Sequence, residues 1–267
     1  MMHNLKLPSH IQLASSYDPI AFAKLRIDGH NSGKVPSSDY DCPKCLNRGT
    51  IAFLREDGTP GFLECDCKAN RWRIQVRKKS GLEAVLPDYT FDLFQATEPW
   101  QKRILSGCQA YAAEPKLWLL LCGQSGSGKT HLCSAICQEL MQNGHTVRYM
   151  PWRDQAGVLK RLGMDAQRDA LLDVFKTVPV LFIDDLFKTG AGPDGQANPT
   201  AADVNLAFEI LNHRYHNRML TILSTEKSPG ELVNIDEATG SRILELARKN
   251  TYHIRPDRKK NFRLREQ

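Results

Sequence analysis

The run Gly123-Gln124-Ser125-Gly126-Ser127-Gly128-Lys129-Thr130 has the form G-x-x-x-x-G-K-[ST], the spacing with which a chain closes backbone N–H groups around a polyphosphate. The glycines permit that close approach, the following helix adds its positive end, Lys129 reaches the β- and γ-phosphates, and Thr130 ligates Mg²⁺. These eight residues, with His131 next in the chain, are the candidate nucleotide-binding set. The stretch "PVLFIDD" supplies two acids after an apolar run. Asp184 is expected beside the Mg²⁺, and Asp185 is expected to orient or deprotonate an attacking water. The pair points to hydrolysis of ATP, and the guanine-reading N-K-x-D does not occur. In "LTILSTEKS" a strand ends in Ser224, Thr225 and Glu226, polar groups that would emerge beside the γ-phosphate if this strand lies between the other two.

A second chemistry sits near the start. Cys42 and Cys45 are followed by Cys65 and Cys67, two close pairs of soft ligands of the kind that fill a tetrahedral structural zinc site. Between them "TIAFLRE" and "GFLE" read as strands and "DGTPG" as the turn joining them. With all four positions taken by protein, a catalytic zinc is not expected. The other cysteines, Cys108, Cys122, Cys133 and Cys137, are expected in the core as small hydrophobes, and so are His213 and His216. A disulfide set is not expected, since a cytosolic chain keeps its thiols reduced.

Those side chains need a scaffold, and the pattern from Lys116 onward provides one. Short apolar runs alternate with helix-length segments, as in a parallel sheet covered by helices. Strands are expected at 117–122, 146–150, 180–184, 220–224 and 251–254, with the phosphate-binding loop between the first strand and a helix. "DEATGSRILELA" reads as a helix carrying Arg242, where an arginine could face a neighbouring subunit. "LSGCQ" lies before the phosphate loop and is assigned to a helix leading into the domain, not to a transporter signature.

At 267 residues and 41% hydrophobic content the chain can bury a sizeable core. The N-terminus lacks the apolar run of a signal peptide, and apolar stretches such as "LWLLLC" are too short to span a bilayer. The expected location is the cytoplasm, with no membrane partner. The net charge of +6 is unevenly spread. Lys68, Arg71, Arg73, Arg77, Lys78 and Lys79 follow one another with no acid between, and the stretch from Arg248 to Arg265 has Asp257 as its single acid. Two readings stand for both: a solvated face, or contact with nucleic-acid phosphates or an acidic partner.

The order of zinc head, basic helix, "SGLEAVLPDYTFDLF", "GQSGSGKTHL", "VLFIDDLFK", "FEILNHRYHNRMLTILSTE" and "GSRILE" resembles bacterial and phage helicase loaders of the DnaC/DnaI type. These are AAA+ ATPases related to DnaA and to IstB-type transposition ATPases. The likeness covers residues 40 to 267. It implies an α/β fold, an AAA+ P-loop domain with a five-stranded parallel sheet flanked by helices, preceded by a small zinc-binding head and a basic helical linker. The expected divisions are 1–40, an N-terminal segment in part flexible; 41–68, the head; 69–115, the linker; and 116–267, the ATPase with a truncated lid. By resemblance Asp184 helps hold Mg-ATP, Ser224 or Thr225 acts as sensor 1, and Arg242 is an arginine finger reaching a neighbour's ATP. Asp185 stands where most AAA+ enzymes have Glu, so slow turnover is expected. No sensor 2 arginine can be named. The segment "KTGAGPDGQANPT" has loop composition and reads either as disordered or as a partner contact.

The function this implies is ATP-dependent loading of a hexameric replicative DNA helicase. The N-terminal part would hold the helicase, the self-associating ATPase part would contact single-stranded DNA, and hydrolysis would act as the release switch. The rivals are an IstB-type transposition regulator and, in another class, an adaptor stabilised by ATP without productive hydrolysis. A small-molecule kinase is disfavoured because no arginine-rich lid is found.

Overall fold

The computed structural model describes residues 18–264, apart from 38–39, 84–87, 164 and 190–197. Residues 1–17 of the expected N-terminal segment, part of the "SGLEAVLPDYTFDLF" phrase, the centre of the loop after the acid pair, and Arg265 lie outside the described residues. The chain divides into two compact units, Met1–Ile74 and Gln75–Gln267.

The first unit is built on little apolar material. Helix α1 (Pro19–Ser32) begins where Asp18 caps it, accepting from the Ile20 amide at 2.9 Å with Pro19 in the first turn. Strands β1 (Thr50–Leu54) and β2 (Pro60–Glu64) pair antiparallel from Thr50 opposite Glu64 to Leu54 opposite Pro60. Asn31 binds the Ala52 backbone twice, donating to its carbonyl at 2.9 Å and accepting from its amide at 3.0 Å, so the helix is tied to the hairpin by strand-like bonds. The buried cluster consists of Cys42, Cys45, Cys65 and Cys67, with Tyr40 and Ile51 against it. So small a core is of the size that ordinarily needs a metal or a crosslink to stay folded. Helix α2 (Cys67–Ser80) starts at the last of these cysteines.

The second unit carries a five-stranded parallel sheet. In chain order come α3 (Pro99–Ala113), β3 (Trp118–Gly123), α4 (Lys129–Gln142), β4 (Val147–Pro151), α5 (Trp152–Leu162), α6 (Ala166–Thr177), β5 (Val180–Asp184), α7 (Ala201–His216), β6 (Leu220–Thr225), α8 (Pro229–Ile235), α9 (Glu237–Ala247) and β7 (Thr251–Ile254). The strands lie in the order β4-β5-β6-β3-β7. The continuous apolar run of β3 follows from this arrangement. Trp118, Leu120 and Cys122 enter one core cluster while Leu119 and Leu121 enter the other, because successive side chains point to opposite faces and helices cover both. Val76, Leu82, Phe94, Ile104, Cys108 and Tyr111, from the stretch expected to be a linker, belong to the second cluster. The four scattered cysteines are fully buried. Among the described residues no helix is long and apolar enough to cross a membrane.

The two histidines do not pack as expected. His216 is exposed and His213 half-buried; the buried positions of α7 are Asp203, Leu206, Ala207, Ile210, Leu211 and Arg214, a stripe of three- and four-residue steps that leaves 213 and 216 on its flanks. Arg214 takes the interior position. Its guanidinium donates to Thr221 Oγ1 at 2.9 Å and to the carbonyls of Phe175, Lys176, Val178 and Leu220. A fixed fork of donors thereby ties the end of α6 to the start of β6.

Candidate nucleotide site and cysteine cluster

The phosphate-binding loop leaves the buried end of β3 and enters α4 at Gly128, whose φ of +88° lies in the left-handed region. A Cβ there would sit 2.6 Å from the Phe94 ring, so both backbone and neighbour require glycine. Lys129 is buried, and its ammonium donates to the carbonyls of Gly123 at 2.9 Å and Gln124 at 2.8 Å. Burial lowers its pKa, opposed by the charges of Glu226 and Asp185. The Gln124 side chain bonds outward, accepting from the Asp257 amide at 3.2 Å. Ser127 donates to the Gln124 carbonyl at 2.7 Å, which keeps the loop curled.

Strand β6 lies between β3 and β5, the position in which its polar end meets the acid pair. Asp184 is buried, accepts from Thr130 Oγ1 at 2.9 Å and Tyr149 OH at 3.0 Å, and is also hydrogen-bonded by Ser224 Oγ. Burial raises its pKa, with the Asp185 charge adding, against the bonds from Ser224, Thr130 and Tyr149. The Ser224 hydroxyl also accepts from the Asp185 amide at 2.9 Å. Thr225 does something else: it donates to the Leu186 carbonyl at 2.7 Å and holds the turn. Hydroxyl and carboxylate oxygens converging in this way are the donor set a hard divalent cation takes.

Asp185 has a φ of +57°, a left-handed state uncommon outside glycine that aspartate tolerates better than most residues and that recurs at functional sites. Its carboxylate pairs with Lys188 at 2.8 Å, and Lys188 also reaches Glu226 at 3.1 Å. Burial would lower the Lys188 pKa, but the two carboxylates outweigh it and raise it. A cavity of about 270 Å³ opens over these groups. Its lining combines the loop from Ser125 to His131 and the charged Asp185, Lys188 and Glu226 with the aromatic Tyr89, Phe94 and Phe262. The His131 ring lies 5.0 Å from Tyr89 and 5.3 Å from Phe94, with Nε2 bonded to the Thr90 carbonyl at 2.6 Å. Charged groups and aromatic rings lining one cavity suit a nucleotide.

Several residues of the site escaped sequence reasoning. Lys188 follows Asp185 by three residues and could have been found by that proximity, whereas Glu226 lines the cavity from the strand end where it was expected. Tyr149 required knowing that β4 pairs with β5. Phe262 and Arg263 reach the cavity from the far end of the chain, where no local pattern marks them. Arg242 lies elsewhere in the same unit. It donates to the Ala238 carbonyl at 2.8 Å, its guanidinium stands 5.3 Å from the Phe208 ring and 5.5 Å from the Tyr215 ring, and it does not line the nucleotide cavity.

In the other unit the sulfurs of Cys42, Cys45, Cys65 and Cys67 all lie within 4.8 Å of one another, with Cys42 and Cys65 at 3.7 Å and Cys45 and Cys67 at 3.3 Å. Tetrahedral thiolates at zinc stand about 3.8 Å apart, so the cluster fits that ion. Burial works to raise the Cys45 thiol, but bonds from Cys67 and the Gly49 amide outweigh it and bring it down to about 7. Burial and the neighbouring thiols push Cys67 up to about 12. A cation among the four removes that conflict.

A parallel sheet whose first strand runs through a phosphate loop into a helix, with an acid-ended strand beyond a polar-ended one, is the arrangement of a P-loop ATP-binding domain. The comparisons agree. Residues 68–246 match the model of the family described as IstB-like ATP binding protein, and the chain belongs to that family. It is 33% identical over 222 residues to the phage-like element PBSX protein XkdC of Bacillus subtilis (strain 168), covering 79% of this chain and 80% of that one. Among solved structures it resembles that of the DnaC helicase loader, with TM-score 0.53 and 19% identity over 64% of this chain and 98% of the other. It also resembles AMPPCP-bound DnaA from Aquifex aeolicus, with TM-score 0.50 and 20% identity over 63% and 50%. At those identities the structural likeness speaks for the fold alone.

Proposed function

We propose that the chain is an ATP-dependent loader of a hexameric replicative DNA helicase, working in the cytoplasm. The observation that carries the ATP half is the convergence of Thr130, Asp184 and Ser224 beside Asp185 and the loop of Lys129. In this reading Gly123 to His131 bind the nucleotide, and Thr130 and Asp184 hold Mg²⁺, which when bound offsets charge on the phosphates. Asp185 positions the attacking water once Lys188 releases it, and Ser224 fixes the geometry between the two acids, as sensor 1. Arg242 serves the site of a neighbouring copy. Zinc on the four cysteines holds the head folded. The likeness of fold to the DnaC helicase loader supports the loader reading, in which residues 1–40 and the head at 41–68 hold the helicase. The stretch at 69–115, most of which packs into the core of the second unit, connects them to an ATPase at 116–267 that self-associates on single-stranded DNA, and hydrolysis releases the helicase.

Co-purification with candidate replicative helicases, followed by mass measurement of the complex, tests this directly. A stoichiometric helicase complex that dissociates on ATP turnover is expected; failure to bind any replicative helicase overturns the loader reading. A transposition regulator is the second reading, favoured by the family match itself and by 26% identity over 158 residues to an insertion sequence IS5376 putative ATP-binding protein from Geobacillus stearothermophilus. Preference for duplex DNA and for a transposase marks that outcome. An adaptor without productive hydrolysis would bind ATP and show no turnover with or without single-stranded DNA.

A further inference from the structure

On the sheet edge away from the acid pair, α3 and β7 enclose a groove of about 600 Å³. Its lining includes Arg103 from α3, Lys249 from the turn before β7, and Arg255 and Lys260 just after it, together with Trp100 and Tyr252; among the described residues no acid lines it. Its floor is rigid. Asn250 donates to the Trp118 carbonyl at 3.1 Å, β7 pairs with β3 along its length, and Lys260 stands 5.9 Å from the Trp100 ring while donating to the Arg255 carbonyl at 3.3 Å.

We propose that this groove between α3 and β7 is a binding site for a single strand of nucleic acid, its phosphates on Arg103, Lys249, Arg255 and Lys260 and its bases against Trp100 and Tyr252. This deepens the loader reading by naming where on one copy the strand lies. Four cations line the groove, with Asp257 the single acid in the stretch that supplies three of them, and together they form an electrostatic track for a polyanion. The rings decide which polyanion. An acidic peptide has no flat face to stack, whereas every unpaired base does, and in a duplex those faces are hidden. The groove also adjoins the phosphate loop: the Ile254 carbonyl accepts from the Gln124 amide at 2.9 Å and the Phe262 amide donates to the Gly126 carbonyl at 2.8 Å.

The test is fluorescence polarisation of labelled oligo-dT with the full chain and with the double variant Lys249→Ala, Arg255→Ala. Both positions are exposed, and the thermal midpoint checks the fold. The variant is expected to bind about tenfold more weakly, and its plot of log affinity against log salt to flatten by about 1.4, two phosphate contacts on a single strand. Parent-like affinity and slope in the variant overturn the groove while leaving helicase binding, measured separately, to decide the loader reading. Equal affinity for a duplex of the same charge, or competition by polyglutamate as effective as by oligo-dT, overturns the assignment to a single strand.

Discussion

Lys129 and Asp185 both border the cavity, yet their contacts separate their roles. Lys129 is wired to the loop carbonyls, so Lys129→Ala should lose nucleotide affinity, read as Kd by titration with a fluorescent ATP analogue. Asp185 touches Lys188 and the Ser224 hydroxyl rather than the loop; Asp185→Asn should keep the parent Kd and lower turnover by about 10²-fold or more, the scale of a positioned general base. Hydrolysis at the parent rate by Asp185→Asn removes the water from its role. Asp184 gives a pH-dependent prediction. Burial raises its pKa above the unfolded value, so its contribution to stability is fully present below the unfolded pKa and is lost as pH rises through the folded one. Without nucleotide and metal, Asp184→Asn should therefore melt higher than the parent at neutral pH, the gap closing as pH falls through the folded pKa. A gap that widens on acidification contradicts the assignment.

Among the elements, the hairpin head and α7 differ in what holds them. The head has four cysteines for a core, and a structural zinc supplies on the order of 10 kcal/mol to such a unit. One equivalent of Zn²⁺ per chain is expected by elemental analysis, absent in the Cys65→Ser, Cys67→Ser variant; zinc persisting at one equivalent there places it on other residues. Helix α7 depends on Arg214, which satisfies four backbone carbonyls. Arg214→Ala leaves these without a donor and opens a cavity, so a loss of roughly 3 kcal/mol or more in urea unfolding is expected. A variant within 1 kcal/mol of the parent, roughly the spread of surface substitutions, would show that water replaces the guanidinium.

At the scale of the whole molecule the question is whether one copy makes a complete site. Arg242 rests on Phe208 and Tyr215 and does not line its own copy's cavity. If it completes a neighbour's site, Arg242→Ala should bind ATP and lose most turnover, since an arginine finger contributes roughly 10³ to 10⁵ in rate. The decisive experiment mixes Arg242→Ala with Lys129→Ala on single-stranded DNA. Partial recovery is expected, because some junctions then join an intact phosphate loop to an intact arginine; a mixture as inactive as its parts argues against a shared site.

The residues that do chemistry were legible in the sequence because their chemistry constrains spacing locally. A phosphate loop needs its glycines, lysine and threonine within one turn, a zinc knuckle needs its cysteines close, and a strand buried on both faces must be apolar throughout. The five strands fell within a residue of expectation at either end for the same reason. Tertiary structure alone decided the rest. Ser224 and Thr225 are equivalent neighbours on paper, and only the insertion of β6 between β3 and β5 turns one to Asp184 and the other to the Leu186 carbonyl. Arg214 and the histidines beside it are all polar, and only the packing of α6 and β6 chose the interior one. Phe262 and Arg263 come to the cavity because β7 lies at the edge beside β3, a pairing made across about half the chain and written in no local pattern.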